Sequence, residues 1–225
     1  VGGVGWIMER LIVRPLFNAP KVTLLVATAG VALLAIALEL KIGGTVQRPI
    51  ASALSGKAVS ILGAPVTPQQ LLSVLFLIGL AIGLAYFFNK TDLGLAVLAL
   101  SQEPVATELT GIGTKRMSSF VWVFASILGG IAGVLQAGIL GVIYPGYMTL
   151  NFLLFGFTAA VVGGVTSLAG AFVGGLLIGV VYNLGAYLDT NYIHHALPGI
   201  PTLAVFVTLL SILLARPKGL LGREA

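Results

Sequence analysis

The 225 residues carry 58% hydrophobic and only 8% charged side chains, with no cysteine. A soluble domain has roughly a quarter of its residues charged, so this is an integral membrane protein, and disulfide, thiolate and cysteine-metal chemistry are excluded. The net charge of +5 is no nucleic-acid footprint, because the basic residues stand at the ends of apolar runs rather than among aromatics on one face; no nucleic-acid partner is expected.

The apolar runs are continuous rather than alternating, which gives an all-α fold class: a polytopic transmembrane helix bundle, with membrane lipid around it and about 20 residues per ~30 Å crossing. The chain opens on VGGVGWIM, ending at Glu9-Arg10, and starts without a methionine. It reads as the tail of a span begun upstream, so residues 1–225 form one transmembrane domain lacking its N-terminal spans. The next run, Val22 to Leu38, ends at Glu39 and Lys41. An acid at membrane depth is a functional candidate, but a position at the end of a span fits a side chain that snorkels to the interface. From Gly43 to Gln70, Gly, Pro and β-branched residues (VSILGAPVT) predict an external loop with a small hairpin. Leu71 to Phe88 is the next charge-free run.

Asn89 to Ser118 is a polar island with six charges, Lys90, Asp92, Glu103, Glu108, Lys115 and Arg116, between two long apolar runs. It predicts a short helix from about Gln102 to Thr110. Ser101 is the expected N-cap, Pro104 is tolerable in the first turn, and Gly111 is the left-handed residue that ends the helix. Val105 and Leu109 share a face at i and i+4, with Glu103 and Glu108 at its rim. Gln102, Glu103, Val105, Ala106, Leu109, Gly111 and Ile112 are the candidate contact residues for a partner outside the membrane, within a loop of about 89–118.

Met117 to Leu188 is free of charge and too long for two plain helices. Pro145-Gly146 breaks it once, and Gly163-Gly164 with Thr166-Ser167 permits a second turn. The expected pieces are a short descending helix, about 153–165, and a rising one, about 169–187. With this split, Arg10, Arg14, Lys21, Lys90, Lys115, Arg116, Arg216, Lys218 and Arg223 collect on the cytoplasmic side, leaving Lys41, Arg48 and Lys57 outside, nine against three. Without it the count is six against six, so the positive-inside rule favours the turn.

Thirty of the residues are glycine, roughly twice average usage. Gly129, Gly130 and Gly133 cluster in one predicted helix. Gly163 and Gly164 mark the turn, and Gly170, Gly174, Gly175 and Gly179 follow in the next helix. Small residues four apart let helix backbones approach in lipid; these positions are candidates for helix packing or for a pathway or subunit seam. Tyr144, Tyr147, Tyr187 and Tyr192 fall where an aromatic belt is expected. His194-His195 are adjacent and do not share a face, so no metal site is expected there.

The chain has no phosphate-binding loop, no nucleophile elbow and no paired carboxylates at workable spacing. Catalytic residues and cofactors are therefore not expected. A stand-alone secondary transporter or channel is the competing class, and it needs intramembrane charges that the spans lack apart from Glu39.

Four segments carry a family resemblance: ERLIVRPLFNAPK at Glu9, the island with its Ala106-x-x-x-x-Gly111-Ile112 ending, VVGGVTSLAGAFVGGLLIG at Val161, and RPKGLLGR from Arg216. In order and spacing the chain resembles the inner-membrane permeases of branched-chain amino acid ABC transporters. The resemblance implies a multi-pass permease in the plasma (inner) membrane of a prokaryote, working in an ATP-driven importer. Its implied partners are a second permease subunit, cytoplasmic ATP-binding subunits and an extracytoplasmic substrate-binding protein. Leucine, isoleucine or valine is the implied substrate, and related permeases carry other solutes such as urea, amides or sugars. The island would be the coupling loop that docks on the ATPase. The family usually places basic residues in the first half of that loop, where Leu95 and Leu98 stand here, and a polar residue at the position of Gly113.

Overall fold

The structure is a computed structural model and describes residues 1–17, 19–52, 54, 56, 58–61, 64–103, 107, 109, 111, 113–165, 167–193, 199–216 and 219–222. The elements are α1 (Gly2–Met8), a π-helical turn (Glu9–Val13), α2 (Lys21–Gly43), α3 (Pro68–Lys90), α4 (Asp92–Gln102), α5 (Thr114–Leu140), α6 (Tyr147–Gly163), α7 (Leu168–Leu188), a second π-helical turn (Asp189–Ile193) and α8 (Ile200–Ala215). Among the described residues, four helices are long and apolar enough to cross a membrane: Val22–Gly43, Pro68–Lys90, Thr114–Leu140 and Leu168–Tyr192. Many of their large apolar side chains point outward, Leu33, Leu34, Ile82 and Val134 among them, as they must where the solvent is hydrocarbon.

The chain forms two compact units, Val1–Tyr147 and a second beginning at Met148. In the first, α1 lies antiparallel against the first half of α5. Val1 meets Gly130, Gly2 meets Ile127, and a Cβ at Gly5 would strike Ser126 and the carbonyl of Trp122. Glycine on α1 is what allows this approach. Phe87 of α3 stacks on Phe120 and Phe124 of α5, with ring centroids 6.0 and 5.9 Å away.

At the other end of α3 and α5 the predicted hairpin is present, formed by β2 (Val59–Ile61) and β3 (Ala64–Val66) in antiparallel register. A second pairing joins β1 (Arg48–Pro49) to β4 (Val142–Ile143). Thr67 caps α3 in a reciprocal capping box with Gln70, ahead of Pro68, so two orphan amide donors are satisfied where the chain re-enters the apolar layer. Glu39 has a role that neither expectation described: its carboxylate accepts a 2.7 Å hydrogen bond from the Gly146 N–H.

The second unit contains the expected split. α6 ends at Gly163, Gly164 takes φ +103°, and the Ser167 hydroxyl caps α7 by accepting from Gly170 N–H at 3.0 Å. α6 starts at Tyr147, earlier than the expected 153, because Gly146 at φ +76° turns the chain within a single residue of Pro145. α6 and α7 form an antiparallel hairpin: the rings of Phe155 and Tyr182 lie 5.1 Å apart, and Cβ atoms on Gly174 or Gly170 would strike the backbone of Ala159 or Gly163. Val162, Ile178, Val205 and Leu209 are the buried centre, drawn from α6, α7 and α8. The tail returns to the hairpin turn, where Leu220 and Leu221 donate their N–H groups to the carbonyls of Val162 and Gly163 at 2.8 and 3.0 Å. Two of the segments that carried the resemblance, one around Val161 and one beginning at Arg216, therefore meet in space.

Candidate functional site: the charged island and its anchors

The island begins with a turn at Thr91, whose backbone is extended and whose hydroxyl caps α4 by accepting from Gly94 N–H at 3.1 Å. Gly94 lies against the carbonyl of Phe87, where any Cβ would collide, so α4 folds back along the end of α3.

Ser101 is not an N-cap. It lies inside α4, and its hydroxyl donates to the carbonyl of Leu98 at 2.7 Å. The apolar run ahead of it sustains the helix as far as Gln102. Glu103 then leaves helical geometry at φ −134°, ψ 82°, as a residue preceding proline tends to do. Helical backbone resumes at Thr107 and Leu109. Thr107 donates both N–H and hydroxyl to the carbonyl of Glu103, at 3.0 and 2.7 Å. Gly111 takes the expected left-handed conformation at φ +87°. Gln102 and Glu103 are exposed, and Leu109 is 86% exposed on a helical turn. Val105, Ala106 and Ile112 lie outside the described residues, as do Pro104, Glu108, Thr166, His194-His195, Lys218 and Arg223.

Two other segments are fastened to the start of α5, where the island ends. One fastening is the stack of Phe87 on Phe120 and Phe124. The other was not anticipated from sequence. Glu9 is fully buried and pairs with Arg14, Nε to Oε1 at 3.3 Å. Ser119 donates to the other Glu9 oxygen at 2.7 Å and accepts from the Arg14 guanidinium at 3.1 Å. The guanidinium also reaches the carbonyl of Lys115 at 3.4 Å. A π-helical turn explains the pairing, because its i→i+5 bond, from Arg14 N–H to the Glu9 carbonyl at 2.7 Å, sets residue 14 over residue 9. The spacing of five was the only signal in the sequence, and an α-helix reading discards it.

The candidate glycines divide by surroundings. Gly163, Gly170 and Gly174 touch backbone of the α6–α7 hairpin, Gly164 and Gly219 touch each other, and Gly130 receives Val1. Gly129, Gly175 and Gly179 have open space where a Cβ would stand, and Gly133 is half-buried on α5. Gly175 and Gly179 line a shallow groove along one face of α7 with Asn183 and Tyr187. The tyrosines pair edge to face, Tyr144 with Tyr147 and Tyr187 with Tyr192.

Comparison with known proteins covers nearly the whole chain. The family described as branched-chain amino acid transport system / permease component matches residues 1–214. The high-affinity branched-chain amino acid transport system permease protein BraD of Pseudomonas aeruginosa is 30% identical, across 97% of this chain and 70% of the relative. The corresponding protein LivH of Escherichia coli is 29% identical with the same two coverages. The ribose import permease protein RbsC of Haemophilus influenzae is 28% identical over 58% of this chain and 40% of its own length. No solved structure shows significant similarity.

Proposed function

The chain belongs to the branched-chain amino acid transport system permease family, and from that premise we propose that it is the membrane-spanning permease subunit of an ATP-driven importer for branched-chain or other hydrophobic amino acids, with the island as its coupling loop. The family match over residues 1–214 carries the amino-acid reading; the similarity to a ribose permease covers much less of the chain. A multi-pass membrane permease with no catalytic motif needs a separate source of energy, so ATP hydrolysis is assigned to cytoplasmic ATP-binding subunits. A second permease subunit completes the pathway, and an extracytoplasmic binding protein delivers the substrate. The plasma membrane of a prokaryote is the assigned location.

The coupling role is supported by one local fact: Leu109, a large apolar side chain, stands 86% exposed on a helical turn inside the most charged stretch of the chain. A helix carrying exposed apolar anchors with charge at the rim suits docking into a groove. The energy of nucleotide-driven closure would then bias the bundle between outward- and inward-facing forms. The open glycines Gly129, Gly175 and Gly179 are assigned to contact with the second subunit or to the pathway, while Gly163, Gly164, Gly170 and Gly174 serve packing within the chain.

The test is purification of the full-length protein from its native membrane, with identification of its partners and of the ligand held by the binding protein. Co-purifying ATP-binding subunits and a bound branched-chain amino acid are expected. Isolation as an active transporter with no ATPase would refute the reading.

A further inference from the structure

We infer that Glu9, Arg14 and Ser119 form the joint through which displacement of the island reaches the first helix, with Glu9 and Arg14 as positioning residues of energy coupling. The inference rests on the assignment of the island as coupling loop. Its basis is geometric. Glu9 is fully buried, and both of its carboxylate oxygens are engaged. One oxygen receives Arg14 and the other receives Ser119, a residue on a different helix immediately after the island's downstream end. The guanidinium spans the gap by bonding Ser119 and the Lys115 carbonyl at once. Any shift of the first turn of α5 therefore carries Arg14 and Glu9 with it.

Stability alone gives little reason for this arrangement. A buried ion pair is often no better than apolar residues of the same volume. The π-helical turn is a second departure at the same place, since such turns are rare and concentrate at functional sites. It lies where α1, packed antiparallel on α5 through Gly2 and Gly5, gives way to the segment leading to α2. A hydrogen-bonded joint with fixed directions transmits a push of an ångström or two, which is the scale of helix shifts in such switches. A greasy contact would slide.

The experiment uses the intact transporter in proteoliposomes, with radiolabelled leucine delivered by the binding protein. Three quantities are measured for Glu9→Gln, Arg14→Lys and Ser119→Ala: ATPase-subunit co-purification, ATP hydrolysis, and leucine imported per ATP hydrolysed. Co-purification at wild-type level is expected, with hydrolysis retained and the import ratio reduced at least tenfold in Glu9→Gln and several-fold in Ser119→Ala. Arg10→Gln is the control, because Arg10 stands outside the joint, over the ring of Trp6, and its ratio should not move. Ser119→Ala leaves the ion pair in place and reports even if Glu9→Gln fails to accumulate. A wild-type ratio in Ser119→Ala and Arg14→Lys overturns the joint. So does loss of protein or of thermal stability with the ratio unchanged, which marks a purely structural pair. A ratio that falls only together with ATPase co-purification assigns these residues to docking and overturns the joint as well. Failure of the wild-type permease to retain an ATPase sinks the coupling-loop reading instead.

Discussion

The Glu39 carboxylate accepts a 2.7 Å hydrogen bond from the backbone N–H of Gly146, which ties the end of α2 to the turn between α5 and α6. Gly146 holds φ +76°, and the bond satisfies an amide that this tight turn exposes. Arg48 supports the same end by donating to the Gly43 carbonyl at 3.0 Å. Glu39→Gln should keep a weaker acceptor, and Glu39→Ala should cost on the order of 1 kcal/mol, visible as a lower thermal midpoint and faster proteolysis near 141–146. Leucine uptake should persist in both variants, with an unchanged dependence on external pH. Abolished uptake in Glu39→Gln at unchanged stability would instead make this acid an ion-coupling group.

The island gives a second prediction. Gly111 is left-handed at φ +87° and has open space around it, so Gly111→Val meets no side-chain clash and is opposed by the backbone alone, by about 1–2 kcal/mol. Gly111→Val and Ala106→Arg should both reduce ATPase-subunit co-purification and substrate-stimulated ATP hydrolysis several-fold or more. With the island assigned to a loop outside the bilayer, membrane insertion should be untouched. Wild-type levels of both readouts in Ala106→Arg would remove the coupling assignment.

Much of this architecture was legible in the chain. The turn at Gly163-Gly164 followed from charge parity and from small residues, and Gly111 followed from the rule for helix ends. The hairpin between Gly43 and Gln70 followed from its β-branched and turn residues. The cap at Ser101 was misplaced because a serine near a proline looks like a helix start, whereas the leucine-rich stretch before it keeps α4 going. Glu9 with Arg14 was invisible because five residues is not a helical spacing, and Ser119 because nothing in a sequence announces a partner more than a hundred positions away. The tail's return to Val162 and Gly163 is likewise a long-range backbone contact with no side-chain signature.

The glycines offer a paired comparison. Gly174→Val places a side chain into the backbone of α6 and should destabilise the purified protein by about 1–3 kcal/mol or more. Gly175→Val, one residue on, meets open space and should stay within about 0.5 kcal/mol of wild type. If Gly175 and Gly179 face the second subunit, Gly175→Val and Gly179→Val should lower permease dimer recovery at unchanged monomer stability. Equal loss of monomer stability at 174 and 175 would contradict the division between packed and open glycines.

Membrane sidedness is directly testable, since the chain has no cysteine of its own. Single cysteines at Thr166, Asn191 and Lys218 should label from the cytoplasm or not at all, from outside, and from the cytoplasm, respectively. Thr166 and Lys218 lie outside the described residues, but each adjoins one that is described: Val165, 78% exposed, and Gly219, set against Gly164. Labelling at Lys218 from outside would end the nine-to-three topology.

The bonds from Leu220 and Leu221 to Val162 and Gly163 also bear on the order in which the protein is made. The last carbonyls of α6 leave the ribosome roughly sixty residues before the amides that satisfy them, an interval of about 3–12 s at ordinary elongation rates. For that time the α6–α7 hairpin must sit in the bilayer with its turn unfinished, dependent on water at the membrane surface for its open acceptors. Completion of this turn therefore waits until Leu220 and Leu221 have been made, and the turn is open to quality-control proteases until then.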